Sequence, residues 1–468
     1  MANLETKTLD LSAFDQAIVR VYVRILYGFA FTNPAKIPEA VETIRQALLA
    51  TQARYPFIGG ALEPDGTDEK QNVLRCTFQE PMPAKSHPAM FVVKKLSLIG
   101  FPQTYHELTR QGAPPSAMTK ELLSSLPEHP KPGETCPAFG LQVNFIKGGL
   151  ILCFAFHHTI FDGVSSRMFL QAFTDRVRDN TRSDAVPIDF GAQRRLSWPT
   201  DCSQLRLDDF PEYTCAEVQL RVAPSRSSVS HILTFSSEGL AQLKAGVSAY
   251  LEATGVHPDV STADCLSGLL WVAVMRARRE RLSATDVTRY AIAVDVRHKL
   301  PLPEGYFGNA VLHTVATASV SELIGPQSAI DVASIGLAAS RIRHAVNSVN
   351  TAYVHKRLNL FASLSDPTSA AVAFKRAIDM PNTGLDFSDW REQGADLEFQ
   401  IPGAGSITPD WVRKTWSANE GAVNIMPRKG GKKGPADWEV LLALSVEDME
   451  RVCSSADGLG YWASRVVE

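Results

Sequence analysis

Hydrophobic positions fall into two long patterned segments separated by a stretch without clear periodicity. In the first segment, residues 21–31 form a strongly apolar run, and positions 141, 143 and 145 alternate before a glycine turn at 147–149. A second apolar run, residues 150–156, follows that turn, so the pattern predicts a β-hairpin. Pro38 precedes apolar residues at helical spacing, which predicts a helix between the first strand and the hairpin.

The second segment repeats this mixture. Residues 263–278 lack a polar face, which indicates a buried helix. Strand-like runs occur at residues 229–235, 290–296, 421–426 and 438–445. The economical interpretation is an α+β protein with two halves and a long connection between them.

We therefore predict an N-terminal domain over residues 1–185, a crossover linker over 186–224 and a C-terminal domain over 225–468. The linker is rich in Asp, Arg, Ser and Pro and shows little periodicity. Part of about 397–430 is expected to pack onto the N-terminal domain.

Composition and charge narrow the class of protein. The chain has 468 residues, 45% hydrophobic and 21% charged, with a net charge of −3, so nothing indicates a surface for nucleic acid or anionic membranes. Its seven cysteines form no Cys-x-x-Cys pair, which fits a reducing compartment and argues against a zinc site. Without an apolar leader or a spanning apolar run, we expect a cytoplasmic protein that does not enter membranes.

The most informative motif is His157-His158-x-x-x-Asp162-Gly163, directly after the apolar run 150–156. An imidazole at the end of a buried strand is well placed to take a proton from a neutral hydroxyl near pH 7. Asp162 is better interpreted as an orienting group that pairs with a cation, and Gly163 allows a ligand or a second strand to come close. For His157 alone, packing within the sheet is the simpler interpretation.

This motif resembles that of the CoA-dependent acyltransferase superfamily, and in particular the BAHD acyltransferases. Further segments resemble the fungal branch typified by trichothecene 3-O-acetyltransferase, and they follow in the family's order. They are Tyr22-Val23-Arg24-Ile25-Leu26, Tyr55 to Leu62, Val294-Asp295-Val296-Arg297, and Glu304 to Ala310. The resemblance implies two chloramphenicol-acetyltransferase-like α/β domains with a central solvent tunnel at their interface. It also implies that His158 is the general base and Asp162 the structural acid.

The resemblance extends to other candidate site residues. Arg297 is expected to hold Asp162, with Glu398 as a competing partner for that arginine. Ser388 and Trp390 match positions that donate to the reacting oxygen or shape the acceptor pocket. For CoA binding, the candidates are Asn309 in the channel, and Lys429, Lys432 and Lys433 in a glycine-rich basic loop that could contact phosphates. The ordinary alternatives are a surface arginine, a turn asparagine, a packed tryptophan and a solvated loop.

One family signature departs from its usual form. Where the family has Asp-Phe-Gly-Trp-Gly, this chain has Glu398-Phe399-Gln400-Ile401-Pro402. The acid and the Phe remain, whereas both glycines and the Trp are replaced. The change raises the question of whether the CoA channel has its usual geometry.

The resemblance predicts a monomeric O-acyltransferase acting on a hydroxyl of a secondary metabolite. Acetyl-CoA or another acyl-CoA would be the co-substrate, with no permanently bound cofactor and no metal. Two alternatives remain open, namely CoA-independent condensation or cyclisation on the same fold, and a catalytically silent binding scaffold. The chain has no Gly-x-Ser-x-Gly or His-Glu-x-x-His motif, which argues against hydrolases of those classes.

Overall fold

The strands and helices alternate along the chain as the hydrophobic pattern predicts. The computed structural model describes residues 5–66, 69–80, 87–179, 205–214, 226–256, 259–325, 329–431, 434–454 and 458–468. The predicted domain limits near residues 185 and 225 lie outside these ranges, so they stay predictions.

The strands are short to medium in length, as is usual for mixed folds. In chain order they are β1 Glu5–Leu9, β2 Tyr22–Ala30, β3 Ala61–Pro64, β4 Leu74–Glu80, β5 Phe91–Lys95, β6 Cys136–Pro137, β7 Phe139–Ile146, β8 Gly149–His157, β9 Ser228–Phe235, β10 Val287–Asp295, β11 Val311–Ser319, β12 Gly384–Asp389, β13 Trp411–Lys414, β14 Ala422–Ile425, β15 Trp438–Ser445 and β16 Arg465–Val467.

The helices cover the sheets and the connections between them. They are α1 Ala13–Ala17, α2 Ile37–Arg54, α3 Leu96–Ile99, α4 Tyr105–Gln111, α5 Lys120–Leu123, α6 Gly163–Arg178, α7 Ser237–Ala253, α8 Thr262–Ala277, α9 Val320–Ile324, α10 Val332–Ser348, α11 Thr351–Ser363, α12 Thr368–Ile378 and α13 Val446–Ser454. Among the described residues, none of these helices has the length and apolar character that crossing a membrane requires.

A five-stranded sheet carries the histidine motif. Its strand order is β13-β2-β8-β7-β5, and β7 and β8 form the hairpin that the alternating pattern predicts. Every residue of β7 and β8 is buried. Helices α2 and α6 cover one face with an aromatic core that includes Phe139, Phe154 and Phe169, and a second cluster, which includes Tyr105 and Leu108 of α4, covers the other. Strand β8 therefore ends at His157 inside a rigid, closely packed sheet.

A seven-stranded sheet forms the second layer, in the order β11-β10-β12-β14-β15-β9-β16. One face packs on α7, α8 and α10, and the side chains between them form a second core. Helix α8 is buried on all sides, which agrees with its lack of a polar face. A smaller sheet, β1-β4-β3-β6, completes the fold.

The five-stranded sheet takes its edge strand from the second half of the chain. Strand β13 pairs antiparallel with β2, with Trp411 opposite Gly28. A Cβ atom added at Gly28 would lie 2.2 Å from the indole of Trp411, so this position must remain glycine unless the tryptophan moves. Residues from the region 397–430 thus complete the five-stranded sheet.

Candidate active site

His158 lies where β8 ends and the chain turns toward α6. Its backbone N–H donates to the carbonyl of Val21 at 2.8 Å, which ties the turn to the start of β2. The residue is half-buried, and its Nδ1 is enclosed without a hydrogen-bond partner among the described residues. The strand end therefore holds a partly exposed histidine in a position fixed by the sheet.

Asn309 fixes the backbone of the same turn. Its Nδ2 donates to the carbonyl oxygens of His158 at 2.9 Å and Thr159 at 3.2 Å. One oxygen of Asp15 accepts from the backbone N and from Nδ2 of Asn309, both at 2.8 Å, and the Ser12 hydroxyl donates to the other oxygen. Asn309 is fully buried. This amide is enclosed and holds the His158 turn, and the predicted CoA contact of Asn309 stays a prediction.

The Asp162 carboxylate faces away from solvent and is saturated with donors. Its Oδ1 accepts from the N–H of Ser165 at 2.9 Å, as the N-cap of α6. Arg297 binds both oxygens, at 2.9 Å to Oδ1 and 2.7 Å to Oδ2, and the N–H of Ala310 donates to Oδ2 at 3.1 Å. Both oxygens of Asp162 are thus occupied by protein donors, and its orienting role stays a prediction.

Arg297 links the motif to the loop before β11. Its guanidinium also donates to the carbonyl of Gly308 at 2.6 Å. The Ser165 hydroxyl donates to the same carbonyl at 3.0 Å and accepts from the backbone N–H of Gly308 at 3.0 Å. The Glu304 to Ala310 segment, singled out by resemblance, is thereby bound to the start of α6.

Glu398 does not compete for Arg297. Its carboxylate lies 3.8 Å from Arg178 at the end of α6, whereas the carboxylates within reach of Arg297 belong to Asp162 and Asp295. The prediction that Glu398 is an alternative partner of Arg297 is wrong, since this carboxylate lies beside Arg178 instead.

The group that approaches Gly163 closely is a side chain and not a second strand. Its carbonyl accepts from Nε2 of Gln393 at 2.7 Å, and a Cβ at Gly163 would lie 3.2 Å from that nitrogen. The close approach expected at this glycine is made by the Gln393 amide.

His157 has no access to a ligand. It is fully buried, its Nδ1 accepts from the N–H of Thr159 at 3.2 Å, and its ring meets that of Tyr22 edge-on at 5.0 Å. Burial lowers the pKa of His157 to about 3, because a charged imidazole would lose its hydration. This ring is a neutral packing residue.

The environment of His158 favours the neutral, proton-accepting form. Burial is the largest influence and lowers its pKa below the ordinary 6.5, while the negative charge of Asp162 partly opposes the shift and His313 adds to it. At pH 7 the imidazole is therefore free to accept a proton.

A cavity of about 500 Å³ lies beside the His158 turn, between the two large sheets. Val21, whose carbonyl binds His158, is part of its wall. The wall combines aromatic side chains, such as Phe14, Phe361 and Phe374, with charged ones from both sheets. Such a mixture suits a mostly apolar ligand with a few polar groups.

Trp390 lies at one side of this cavity, and Ser388 is two residues before it. Trp390 is part of the wall, and the Nζ of Lys414 lies 5.7 Å from the centre of its ring. Ser388 is on β12, two residues earlier and therefore on the same face, and is half-buried opposite Asn424. Their predicted roles toward the reacting oxygen stay predictions.

The basic loop is held by an arginine at its start. Arg428 donates to the carbonyls of Gly431 at 2.5 Å, Gly434 at 3.0 Å and Ala436 at 3.3 Å. Lys429 is exposed, whereas Lys432 and Lys433 lie outside the described residues. A CoA contact at these lysines stays a prediction.

The altered signature contains a left-handed backbone conformation of the kind that glycine adopts most easily. Phe399 is fully buried against Tyr27, Phe29 and Phe173. Gln400, at the position of the family's first glycine, has φ +46°, a left-handed conformation that side chains other than Gly and Asn adopt at a cost. The segment therefore retains its turn despite the substitution.

Three polar residues at the site were not found from the sequence. Asp15 was detectable only as part of a Ser-x-x-Asp helix start, which gives no sign of its bonds to Asn309. His313 and Asp386 lie on β11 and β12, two strands that were not predicted from the sequence, and only the fold brings them to the cavity wall. In the described ranges, no group of three or more His, Cys, Asp or Glu could hold a metal ion.

Comparisons with known proteins agree with this architecture. A family model described as the Transferase family matches residues 2–458. Trichothecene 3-O-acetyltransferase TRI101 of Fusarium sporotrichioides is 23% identical, over 97% of this chain and 96% of the relative. The fumigaclavine B O-acetyltransferase of Aspergillus fumigatus is 24% identical, over 96% of each chain.

Solved structures show the same fold. The crystal structure of F. sporotrichioides TRI101 with coenzyme A and T-2 matches with a TM-score of 0.78 at 21% identity, over 99% of this chain and 100% of the other. Vinorine synthase matches with a TM-score of 0.58 at 16% identity, over 96% of each chain. The predicted recognition and fold class are confirmed: this chain belongs to the Transferase family of BAHD-type acyltransferases.

Proposed function

We propose that this protein transfers an acetyl group from acetyl-CoA to a hydroxyl of a secondary metabolite. The observation that carries the proposal is the accessible, neutral imidazole of His158, fixed by backbone bonds beside a cavity between two sheets. Membership of the Transferase family, and relatives named as O-acetyltransferases, support the same reaction.

In the proposed reaction, His158 removes the proton of the acceptor hydroxyl as its oxygen attacks the thioester carbonyl carbon. The carbon–sulfur bond then breaks, and the proton passes from His158 to the sulfur, which leaves as the free thiol of CoA. No acyl-enzyme forms. The oxyanion of the tetrahedral intermediate needs hydrogen-bond donors, for which Ser388 and nearby backbone N–H groups are the candidates.

Asp162 and Arg297 are positioning residues in this proposal. Their ion pair joins the N-terminus of α6 to the loop before β11, and Asn309 in that loop binds the carbonyl of His158. The imidazole is thus held through the turn by groups that never contact substrate.

The basic loop is the proposed contact for CoA phosphates, through Lys429, Lys432 and Lys433. Gly431 adjoins Glu392, which lies 3.5 Å from Arg167 on α6, so the described part of the loop is near the start of that helix. Exposed glycine N–H groups and lysines suit a phosphate ligand.

The acceptor is proposed to be a small molecule. TRI101 has been crystallised with T-2 and with deoxynivalenol, and other relatives are named for alkaloid and eremophilane substrates. We further propose a monomer of the cytoplasm with no membrane attachment. The five cysteines in the described ranges are free, which suits a reducing compartment.

An acceptor panel with acetyl-CoA tests the function, with product detected by intact mass. The panel contains T-2, deoxynivalenol, fumigaclavine B, an eremophilane alcohol and simple decalin alcohols. We expect transfer to at least one, and loss of about 10²- to 10⁴-fold in rate for His158→Ala. The backbone bonds of His158 survive this substitution, so folding should be unaffected.

His106→Ala on the exposed face of α4 is the matched control and should retain the wild-type rate. Near-normal turnover by His158→Ala would contradict the general-base role. If neither CoA nor acetyl-CoA changes the melting temperature and no alcohol is acylated, a CoA-independent reaction would replace the proposal.

A further inference from the structure

A second histidine in the cavity is paired with a carboxylate. The Nε2 of His313 lies 3.8 Å from Oδ1 of Asp386, and both residues are part of the cavity wall. Their side chains are 24% and 27% exposed, so each presents surface to the cavity. The distance is too long for a hydrogen bond.

The carboxylate has capacity left for a ligand. Oδ1 of Asp386 is enclosed and has no hydrogen-bond partner among the described residues, which is costly for a carboxylate oxygen. The side chain is nevertheless 27% exposed, so the carboxylate remains open to the cavity. Burial lowers the pKa of His313, while Asp386 and Glu212 oppose that shift. A neutral imidazole beside the carboxylate does not neutralise it.

Small residues on the strand between them make this arrangement possible. His313 is in register with Ala293 on β10, and Asp386 with Ala291 on the same strand. All four side chains lie on one face of the sheet, because alternate residues share a face. The ring of Phe374 on helix α12 packs against that of His313, with centroids 4.4 Å apart. This contact fixes the His313 ring, so a ligand reaches the pair from the cavity that both residues line.

We propose that His313 and Asp386 bind a second hydroxyl of the acceptor, distinct from the one that is acylated. This inference rests on the proposed function and narrows its substrate class to alcohols with at least two hydroxyls. Asp386 accepts the hydroxyl proton in a hydrogen bond, and the His313 ring contacts the same oxygen. The pair fixes which face and which end of the acceptor meets His158.

The charge of the cavity distinguishes a hydroxyl from an amine. Four cationic side chains, Arg24, Lys120, Lys375 and Lys414, share the wall with the carboxylates of Glu128 and Asp386. Glu128 is already paired with Arg24 at 3.2 Å and Lys120 at 3.6 Å. The excess of positive charge disfavours an ammonium group, so a neutral hydroxyl is the donor that fits Asp386.

The test compares matched acceptors. A decalin diol, the decalin mono-alcohol that lacks the second hydroxyl, and the amino alcohol that replaces it are assayed with acetyl-CoA, as are deoxy and amino analogues of every alcohol accepted from the panel. For the wild type, we expect kcat/KM to be about 10- to 100-fold higher for the diol than for either analogue, the usual effect of one hydrogen bond to a charged group.

In Asp386→Asn and His313→Phe, this preference should fall to within about threefold of unity, mainly through the KM of the diol, and His313→Gln should restore part of it. Asp208→Asn, the same charge change at an exposed position outside the cavity wall, should leave the preference at the wild-type value.

Equal use of diol and mono-alcohol by the wild type would overturn the inference while leaving the acetyltransferase function intact, and so would a preference for the amine. If Asp386→Asn lowers kcat/KM equally for all acceptors, the residue is structural and the inference also fails. Absence of transfer to any alcohol would refute the proposed function itself.

Discussion

At the residue scale, the site depends on how its charges are arranged around one neutral ring. Asp162 has all its accepting positions filled, and His157 is packed in the core. His158 alone in the motif combines accessible surface with a pKa suited to accepting a proton. We therefore propose that the chemistry falls to His158 and that the other residues of the motif keep it in place.

The pH dependence of the reaction should show the lowered pKa of His158. In the proposed mechanism the neutral ring is the active form, and its pKa lies below 6.5. We therefore expect kcat/KM to be at its plateau at pH 7 and to fall on acidification with a midpoint below pH 6.5. Steady-state rates between pH 5 and 8 measure this. An acid limb with its midpoint above pH 6.5 would contradict the sign of the shift.

Breaking the Asp162–Arg297 pair should destabilise the protein. Asp162→Asn leaves a largely buried guanidinium without its carboxylate, and we expect a loss of about 3–5 kcal/mol in unfolding free energy, together with a lower rate. Denaturant unfolding measures the first effect, with Asp208→Asn as control.

The double variant Asp162→Asn with Arg297→Met separates charge from packing. It should recover part of the lost stability, because no unpaired charge remains. An Asp162→Asn protein with unchanged melting temperature and rate would show that the pair orients nothing.

At the element scale, loops and caps bring distant segments to the His158 turn. The capping box of α1 supplies Asp15, the N-cap of α6 is Asp162, and the loop before β11 supplies Asn309. Each of these three local features is held by hydrogen bonds to a neighbouring segment. The position of His158 thus depends on the ends of several elements meeting at one point.

The altered signature offers a test of backbone strain. Gln400 has a left-handed conformation, so Gln400→Gly should raise the unfolding free energy by about 0.5–1 kcal/mol. Gln400→Ala keeps the side-chain penalty and should give no such gain. Chemical denaturation distinguishes them, and a Gly variant no more stable than the Ala variant would exclude strain at this turn.

At the scale of the whole molecule, periodicity predicted the central hairpin, several further strands and the buried helix α8, because all of them follow from burial of apolar faces. The motif likewise located the histidine proposed as the base. The contacts of Asn309 and the cavity positions of His313 and Asp386 were not predictable, since they depend on register between strands far apart in sequence. Glu398 was misassigned because spacing in the chain does not show which arginine lies nearest.

The contact between Gly28 and Trp411 should matter for the stability of the entire fold. In Gly28→Ala, the new methyl group would overlap the indole, and we expect a loss of about 1–3 kcal/mol in thermal or denaturant unfolding. Gly66→Ala, with nothing near the added Cβ, is the control. Combining Gly28→Ala with Trp411→Leu should restore part of the loss, and a stable single variant would contradict the steric argument.

Because β13, from the second half of the chain, pairs with β2, the polypeptide cannot be cut between its two halves without breaking a sheet. A fragment that stops before residue 205 would expose the edge of β2, and the remainder would carry a strand with no sheet to join. We expect each piece to aggregate when it is expressed alone. On co-expression, β13 of one piece can pair with β2 of the other. The enzyme is in this respect a natural candidate for a split reporter, in which acetyl transfer reports the reunion of its parts.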